Sequence, residues 1–189
     1  MEHVRKVKRA ENGMIYDPIT ILKDSTVGGA IQIMKENGIG GIPVVDENRT
    51  LIGIVTNRDL RFIDNMNTPI EEIMTKENLI TAPKGTDLQQ ASAILKRYKI
   101  EKLPVVDNKG KLIGLLTYKD ITKIKDNPQA SKDEKGRLLV AAAVGVASDT
   151  LLKIEKLVSV GTDAVVIDTA HGHSVNVLKT IKMAKDAFP

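Results

Sequence analysis

Ile42-Pro43-Val44-Val45-Asp46 returns later in the sequence as Leu103-Pro104-Val105-Val106-Asp107, and this repetition governs what the chain can fold into. The apolar run after the first copy, Leu51–Thr56, likewise returns as Leu112–Thr117. One offset of 61 residues (114 − 53 for the shared glycine) aligns these blocks. Several matched blocks at one offset indicate a duplicated structural unit rather than chance.

A helix is predicted before each block, because apolar residues recur there at helical spacing. The predicted helices cover Gly28–Glu36 and Leu88–Tyr98. Ser25 or Thr26 is expected to cap the first helix and Thr86 the second, since a side-chain oxygen there accepts unpaired N–H groups of the first turn. The expected core-facing residues are Ile31 and Met34 in the first helix and Leu88, Ala91 and Leu95 in the second.

Two short apolar runs separated by a polar turn follow each predicted helix, which is the pattern of a β-hairpin. The predicted strands, including short lead-in strands, are Ile19–Ile21, Ile42–Val45 and Leu51–Val55 in the first repeat, and Leu79–Ala82, Leu103–Val106 and Lys111–Leu116 in the second. A second helix begins near Arg58 and near Lys119. One such unit cannot bury its sheet face alone, so we expect the two repeats to pack together.

The composition limits the kinds of site that the chain can build. Its 189 residues include no cysteine, which excludes disulfides, thiolate metal sites and a cysteine nucleophile. Part of the net charge of +4 lies in the basic run Val4–Arg9. That run could contact phosphates, but a solvated helix face is the favoured interpretation, and without interleaved aromatic residues no nucleic-acid partner is expected. No apolar run reaches membrane-spanning length, so we expect no membrane partner and a cytoplasmic protein.

The residues after the second repeat predict a different architecture, in which strands alternate with helices. Leu138–Val144 is a continuous apolar run, as expected for a fully buried parallel strand. The next elements are a helix over Asp149–Val160 with Leu151, Ile154, Leu157 and Val158 at core spacing, a strand over Ala164–Ile167 and a helix over Ser174–Ala187. This alternation is typical of a (β/α)₈ barrel, which needs about 200 residues or more, so it predicts a segment that cannot close alone.

The repeated block, continued as Gly53-Ile54-Val55-Thr56-Asn57-Arg58-Asp59, resembles a CBS repeat, and two such repeats form a Bateman module. The resemblance implies a nucleotide-binding role for Thr56 and Asp59 and for Thr117 and Asp120. A carboxylate there can accept ribose hydroxyl protons, while the Thr or nearby N–H groups meet phosphates.

Helix capping is the alternative role for these pairs, and the two roles are compatible. Each Thr would cap a helix, and each Asp would lie in its first turn, where the helix dipole favours it. The neighbouring Arg58 and Lys119 are candidate phosphate contacts. Solvation at the surface is the alternative for both cations, and it is the favoured one for Lys119.

The flanks of the repeats resemble a single enzyme family, the IMP (inosine 5'-monophosphate) dehydrogenases. The resemblance covers nearly the whole chain, and a general CBS protein would not share these flanks. The matching blocks are Val4–Asn12 with Gly13-Met14-Ile15, Thr56–Phe62, Lys99–Pro104, Lys132–Leu138 and Val166–Ser174. Guanosine monophosphate reductase, a related barrel enzyme, is disfavoured on the expectation that it lacks the inserted CBS pair.

The resemblance implies oxidation of IMP to xanthosine monophosphate with NAD, in which a loop cysteine attacks the purine. Asp168 matches the family residue that contacts the ribose near the nicotinamide, and His171 and Ser174 share its loop. Loop polarity is the favoured alternative for His171 and His173, since two histidines at this spacing with no third ligand make a poor metal site. No metal is expected. With no cysteine in the chain, we expect no catalytic residue here and a fragment that keeps its regulatory module and not its active site.

The predicted fold class is therefore α/β, with an α+β CBS pair inserted in an incomplete TIM-barrel segment. The expected domains are a barrel-derived lead-in over residues 1–13, CBS repeats over 14–72 and 73–127, and a partial barrel over 128–189 with two strand–helix units. The predicted function is a regulatory module that binds purine nucleotides such as ATP or GTP. The resemblance also implies a homo-oligomer, a dimer through CBS modules and a tetramer or octamer in the complete enzyme. A structural oligomerisation module without nucleotide sensing remains the alternative, and a working dehydrogenase is disfavoured by the missing cysteine.

Overall fold

The computed structural model describes residues 1–11 and 13–189, so Asn12 of the predicted lead-in lies outside the described residues. The chain divides into two compact units, one of residues 1–11 with 129–189 and one of residues 13–128. The helices are α1 (Glu2–Lys8), α2 (Val27–Asn37), α3 (Asn57–Leu60), α4 (Ile70–Ile73), α5 (Leu88–Tyr98), α6 (Tyr118–Asp126), α7 (Thr150–Val158) and α8 (Val175–Ala187). The strands are β1 (Ala10–Glu11), β2 (Met14–Tyr16), β3 (Ile21–Leu22), β4 (Gly41–Val45), β5 (Leu51–Thr56), β6 (Ala82–Pro83), β7 (Lys102–Val106), β8 (Leu112–Thr117), β9 (Ala141–Val144) and β10 (Ala164–Ile167).

Residues 13–128 contain the two predicted hairpins, each in a sheet of its own. In the first sheet β4 lies between β3, which is parallel to it, and β5, which is antiparallel. In the second sheet β7 lies in the same way between β6 and β8. Ile42 faces Val55 in the first hairpin, and Leu103 faces Leu116 in the second, at the predicted offset. The four side chains are buried, so each hairpin supplies the centre of its own core.

The first residues of each repeat pair with the sheet of the other repeat. Strand β2, at the start of the first repeat, pairs antiparallel with β8 of the second repeat. Thr75, which follows the first repeat, bridges to Ile54 of β5. A β-carbon on Gly53 would lie 2.6 Å from Sδ of Met74, and one on Gly114 would lie 2.8 Å from Sδ of Met14. The matched glycines Gly53 and Gly114 therefore make room for the first residues of the other repeat.

An approximate two-fold axis relates the hairpins. The amide of Leu51 donates to the carbonyl of Gly110 at 3.0 Å, and the amide of Leu112 donates to the carbonyl of Arg49 at 3.0 Å. Each residue in one bond is the 61-residue counterpart of a residue in the other, and Thr50 bridges its own counterpart, Lys111. The repeats are therefore joined by reciprocal backbone bonds between their turns.

The helices of the repeats follow the predicted bounds closely, with two corrections. Ile31 is 36% exposed rather than in the core, because the buried stripe of α2 is Val27, Ala30 and Met34. Asp87, not Thr86, caps α5, since its carboxylate accepts the amide of Gln90 at 2.8 Å. The Thr86 hydroxyl instead donates to the carbonyl of Pro83.

The other unit carries the two predicted strand–helix pairs, with β9 and β10 parallel in the register Ala141 to Ala164. The expectation of a fully buried strand over Leu138–Val144 is wrong for this chain. Strand β9 is shorter, and Leu138 and Leu139 before it are about half exposed. In α7 Ile154 is buried, but Val158, expected in the core, is exposed. Two parallel strands alone leave much of both sheet faces uncovered, which accounts for this exposure.

An ion-pair network holds α1 in the same unit. Lys8 is buried and contacts Asp133 at 3.2 Å and Asp163 at 2.6 Å, and Arg137 also contacts Asp133. The Lys8 hydrogen bond lowers the pKa of Asp163. Desolvation raises the pKa of Asp133, but hydrogen bonds from Arg137 and Lys8 outweigh it, so the pKa lies well below its ordinary value. The interpretation of Val4–Arg9 as a wholly solvated face is thus wrong for Lys8.

Candidate functional site

The first candidate pair, Thr56 and Asp59, lies where β5 gives way to α3. Both the amide and the hydroxyl of Thr56 donate to Oδ2 of Asp59, at 2.7 Å each. The hairpin backbone fixes Thr56, and the four-residue helix places Asp59 directly opposite it. This is the geometry of a helix cap, so Thr56 and Asp59 do stabilise the start of α3, as the capping alternative expects.

The second pair, Thr117 and Asp120, repeats this junction at the end of β8. The Thr117 hydroxyl donates to Oδ2 of Asp120 at 2.5 Å, and it accepts the Asp120 amide at 3.2 Å. Both carboxylates are partly buried and are bonded through the same oxygen, Oδ2. Two preoriented carboxylates in equivalent positions are suited to accept hydroxyl protons from two similar ligands.

The candidate cations flank these pairs on the first turns of the helices. Arg58 in α3 and Lys119 in α6 are both exposed. Exposure leaves both the phosphate-contact and the solvated interpretation open, because a long cationic side chain can reach a ligand or remain in water.

Lys102 is a residue that the sequence motifs missed. It begins β7 opposite Thr117, and its side chain is only 14% exposed. Its stem crosses to the first repeat, where a β-carbon on Gly41 would lie 2.7 Å from both Cδ and Cε. Burial lowers the pKa of Lys102, Glu101 opposes this and Lys119 adds to it. Aligning the two repeats at the 61-residue offset could have identified Lys102, because its counterpart in the first repeat is Gly41.

Asp46 and Asp107 are matched residues with a structural role. Oδ1 of Asp46 accepts the amides of Asn48 and Thr50, and Oδ1 of Asp107 accepts those of Lys109 and Lys111. The bond from Thr50 lowers the pKa of Asp46, and the bond from Lys111 lowers that of Asp107. These carboxylates shape the two turns that join the repeats.

The residues expected near NAD lie in the loop between β10 and α8. Asp168 directly follows β10 and is exposed, and its amide donates to the carbonyl of Val144 at the end of β9. His171 is exposed in the same loop. Ser174 caps α8, because its hydroxyl accepts the amide of Val177 at 3.3 Å. The three residues share one loop at the carboxyl ends of both strands, but Ser174 has a structural task as well.

The described residues also bear on metal sites and on membrane-spanning helices. No group of three His, Cys, Asp or Glu side chains in residues 1–11 and 13–189 is arranged to hold a metal ion. In that same part of the chain, no helix combines the length and the apolar character needed to cross a bilayer.

Comparisons with known proteins place the chain in one family. The family model described as IMP dehydrogenase / GMP reductase domain matches residues 1–189. Inosine-5'-monophosphate dehydrogenases of Aquifex aeolicus and of Streptococcus pyogenes serotype M3 are each 55% identical to the chain over all of its length. The chain spans 39% and 38% of the length of these two relatives.

Solved structures of a GMP reductase from Trypanosoma brucei also match. The complex with guanosine 5'-monophosphate has a TM-score of 0.80 and 34% identity, and it covers 96% of this chain and 39% of its own. The complex with guanosine 5'-triphosphate has the same TM-score and identity, and it covers 97% and 45%. These matches cover 96% and 97% of the chain and so include the repeats, which means that the presence of the repeats does not exclude a GMP reductase. The full-length match to the family model shows that the chain belongs to the IMP dehydrogenase / GMP reductase family.

Proposed function

We propose that residues 14–127 are a tandem CBS pair, a Bateman module, that binds purine nucleotides and regulates an IMP dehydrogenase. The module comprises CBS repeats over about residues 14–72 and 73–127, and its ligands are ATP, GTP or related nucleotides. Residues 1–13 and 128–189 belong to the enzyme's barrel. The complete protein oxidises IMP to xanthosine monophosphate in guanine nucleotide synthesis.

The observation that carries this proposal is the duplicated Thr–Asp pair at equivalent strand–helix junctions. Thr56 with Asp59 and Thr117 with Asp120 have the same spacing and the same Oδ2 bond from the hydroxyl. A single pair is explained by capping alone. A pair preserved in both copies, beside Arg58 or Lys119, supports a ligand that each copy would hold through ribose hydroxyls and phosphates.

The relatives favour the dehydrogenase over the reductase. The curated proteins at 55% identity are named inosine-5'-monophosphate dehydrogenases, whereas the reductase structures are 34% identical. The reductase of Trypanosoma brucei was solved with guanosine 5'-triphosphate and with guanosine 5'-monophosphate, so purine nucleotides bind a homologous protein.

The barrel part of the complete enzyme would use NAD. The exposed carboxylate of Asp168 at the end of β10 suits a ribose hydroxyl, and His171 and Ser174 would line the same loop. NAD supplies hydride acceptance when bound, and the role of these side chains is to bind and orient it. The chain's own residues include no cysteine, so we assign it no nucleophile.

Ligand binding to the purified chain tests the proposal. At a concentration of 100 times Kd, a nucleotide that binds only the folded state stabilises it by about 2.7 kcal/mol, which raises Tm. We expect ATP or GTP to raise Tm and to give a saturable heat in titration calorimetry. Asp59→Asn combined with Asp120→Asn should abolish both effects, and Asp64→Asn, which removes an exposed charge next to α3, should abolish neither.

Absence of any heat or Tm shift with either nucleotide would overturn the proposal. Light scattering with and without nucleotide addresses the alternative of a purely structural oligomerisation module. A stable dimer or larger assembly in a protein that binds no nucleotide would favour that alternative.

A further inference from the structure

At one pair of positions with matching backbone hydrogen bonds, the two repeats carry side chains of very different size. The amide of Asn57 donates to the carbonyl of Gly40, and the amide of Tyr118 donates to the carbonyl of Glu101. Gly41 pairs with Thr56 in the first hairpin, as Lys102 pairs with Thr117 in the second. The same backbone thus carries a glycine in the first repeat and a lysine in the second.

The lysine uses the space that the glycine leaves. A β-carbon on Gly41 would come within 2.7 Å of Cδ and Cε of Lys102, and within 3.2 Å of Cγ2 of Thr56. The ammonium then lies 3.8 Å from the β-carbon position of Gly40, which is 3.0 Å from Nδ2 of Asn57. Lys102 of the second repeat therefore ends beside the Thr56 junction of the first.

The charge on Lys102 has little to balance it. In the described part of the chain its ion-pair partner is Glu101, at 3.8 Å, and the Glu101 side chain is 80% exposed. Burial lowers the pKa of Lys102, and the positive charge of Lys119 lowers it further. A largely buried ammonium without a close counterion is costly. An anionic ligand at this position would remove that cost, whereas a merely structural stem would be better served by an apolar residue.

We propose that Lys102 reaches across the repeat boundary to bind the polyphosphate of a nucleotide held at Thr56 and Asp59. This inference rests on the proposed nucleotide binding and adds a distinction to it. The Thr117 junction has Gly41 at the matching place, so it lacks this cation. The two nucleotide sites are therefore inequivalent, and the first one selects for nucleoside triphosphates.

The test compares the binding of ligands with different numbers of phosphates to the wild-type chain and to three full-length variants. Lys102→Met keeps the stem and removes the charge, and Lys102→Arg keeps the charge. Lys109→Met removes an exposed charge from the opposite end of the same hairpin. Titration calorimetry with ATP, AMP and adenosine, and with GTP, GMP and guanosine, gives the affinity of each site.

We expect Lys102→Met to weaken triphosphate binding at one site about tenfold or more, since a charged hydrogen bond is lost there. Nucleoside binding and the second site should be unchanged, Lys102→Arg should retain most of the triphosphate affinity, and Lys109→Met should behave as wild type. An equal loss for nucleoside and triphosphate, or no loss, would overturn the inference while leaving nucleotide binding intact. A wild-type chain that binds none of the six ligands would overturn both.

Discussion

The two repeats share the same order of strands and helices but differ at the junction where the last hairpin strand meets the following helix. The helix that follows the hairpin has four residues in the first repeat (α3) and nine residues in the second (α6). Asp59 accepts both the amide and the hydroxyl of Thr56, whereas Asp120 accepts the hydroxyl of Thr117 and returns its own amide to it. These differences, and that between Gly41 and Lys102, lie at the junctions, whereas the core counterparts Ile42 and Leu103 are both buried aliphatic residues. The two sheets are therefore built alike, and the repeats differ around the Thr–Asp junctions.

The largest expected effect is that of a cavity-creating substitution at the same core position of each repeat. Ile42 and Leu103 are counterparts, and both are fully buried. Replacing either by Ala removes methyl groups and leaves a cavity, which typically costs about 2–5 kcal/mol. Because the turns of the repeats are joined by reciprocal backbone bonds, we expect each variant to lower one shared unfolding transition of residues 13–128.

Urea denaturation of the full chain, followed by far-UV circular dichroism, measures this. Ile31→Ala is the matched control, because Ile31 is exposed and its replacement should lower the free energy of unfolding by less than about 1 kcal/mol. Two separate transitions for residues 13–128, only one of them moved by each substitution, would mean that the repeats fold independently.

A smaller effect is expected at the caps of the first helix in each repeat. Thr26 accepts the amide of Gly29 at 3.2 Å, and Asp87 accepts that of Gln90 at 2.8 Å. Loss of such a cap costs about 1 kcal/mol. Thr26→Ala and Asp87→Ala should therefore lower stability by similar amounts in urea titrations. Thr86→Ala, the control, should have less effect, and a larger loss there would restore Thr86 as the cap.

Sequence reasoning recovered what repeats itself. The offset of 61 residues placed both hairpins and both Thr–Asp pairs, because identical local patterns fold identically. It missed the pairing of Met14–Tyr16 with the other repeat. Because this segment is adjacent to the first repeat in sequence, it was expected to pack there, whereas it pairs with β8 of the second repeat. That pairing depends on the packing of both repeats and leaves no trace in a local pattern.

Charged residues were harder to place than apolar ones. Lys8 lies in a basic run that resembles a solvated face, and only the distant positions of Asp133 and Asp163 explain its burial. Lys102 lies in a strand whose pattern gives no reason to single it out. Asp133 and Asp163 are remote from Lys8 in sequence, as Gly41 is from Lys102, so charge patterning over a short window cannot find either contact.

The smallest expected effect is on how stability depends on pH under acidic conditions. Hydrogen bonds from backbone amides lower the pKa values of Asp46 and Asp107 in the folded state. A carboxyl group with a depressed folded pKa contributes stability above its unfolded pKa of about 3.9, and this is lost as pH falls through the folded value. Urea midpoints should therefore decline below about pH 4, and Asp46→Asn and Asp107→Asn should flatten that decline equally. The exposed Asp64→Asn should leave the slope unchanged. Unequal flattening would show that one turn contributes more than the other to joining the repeats, although their hydrogen bonds match in kind.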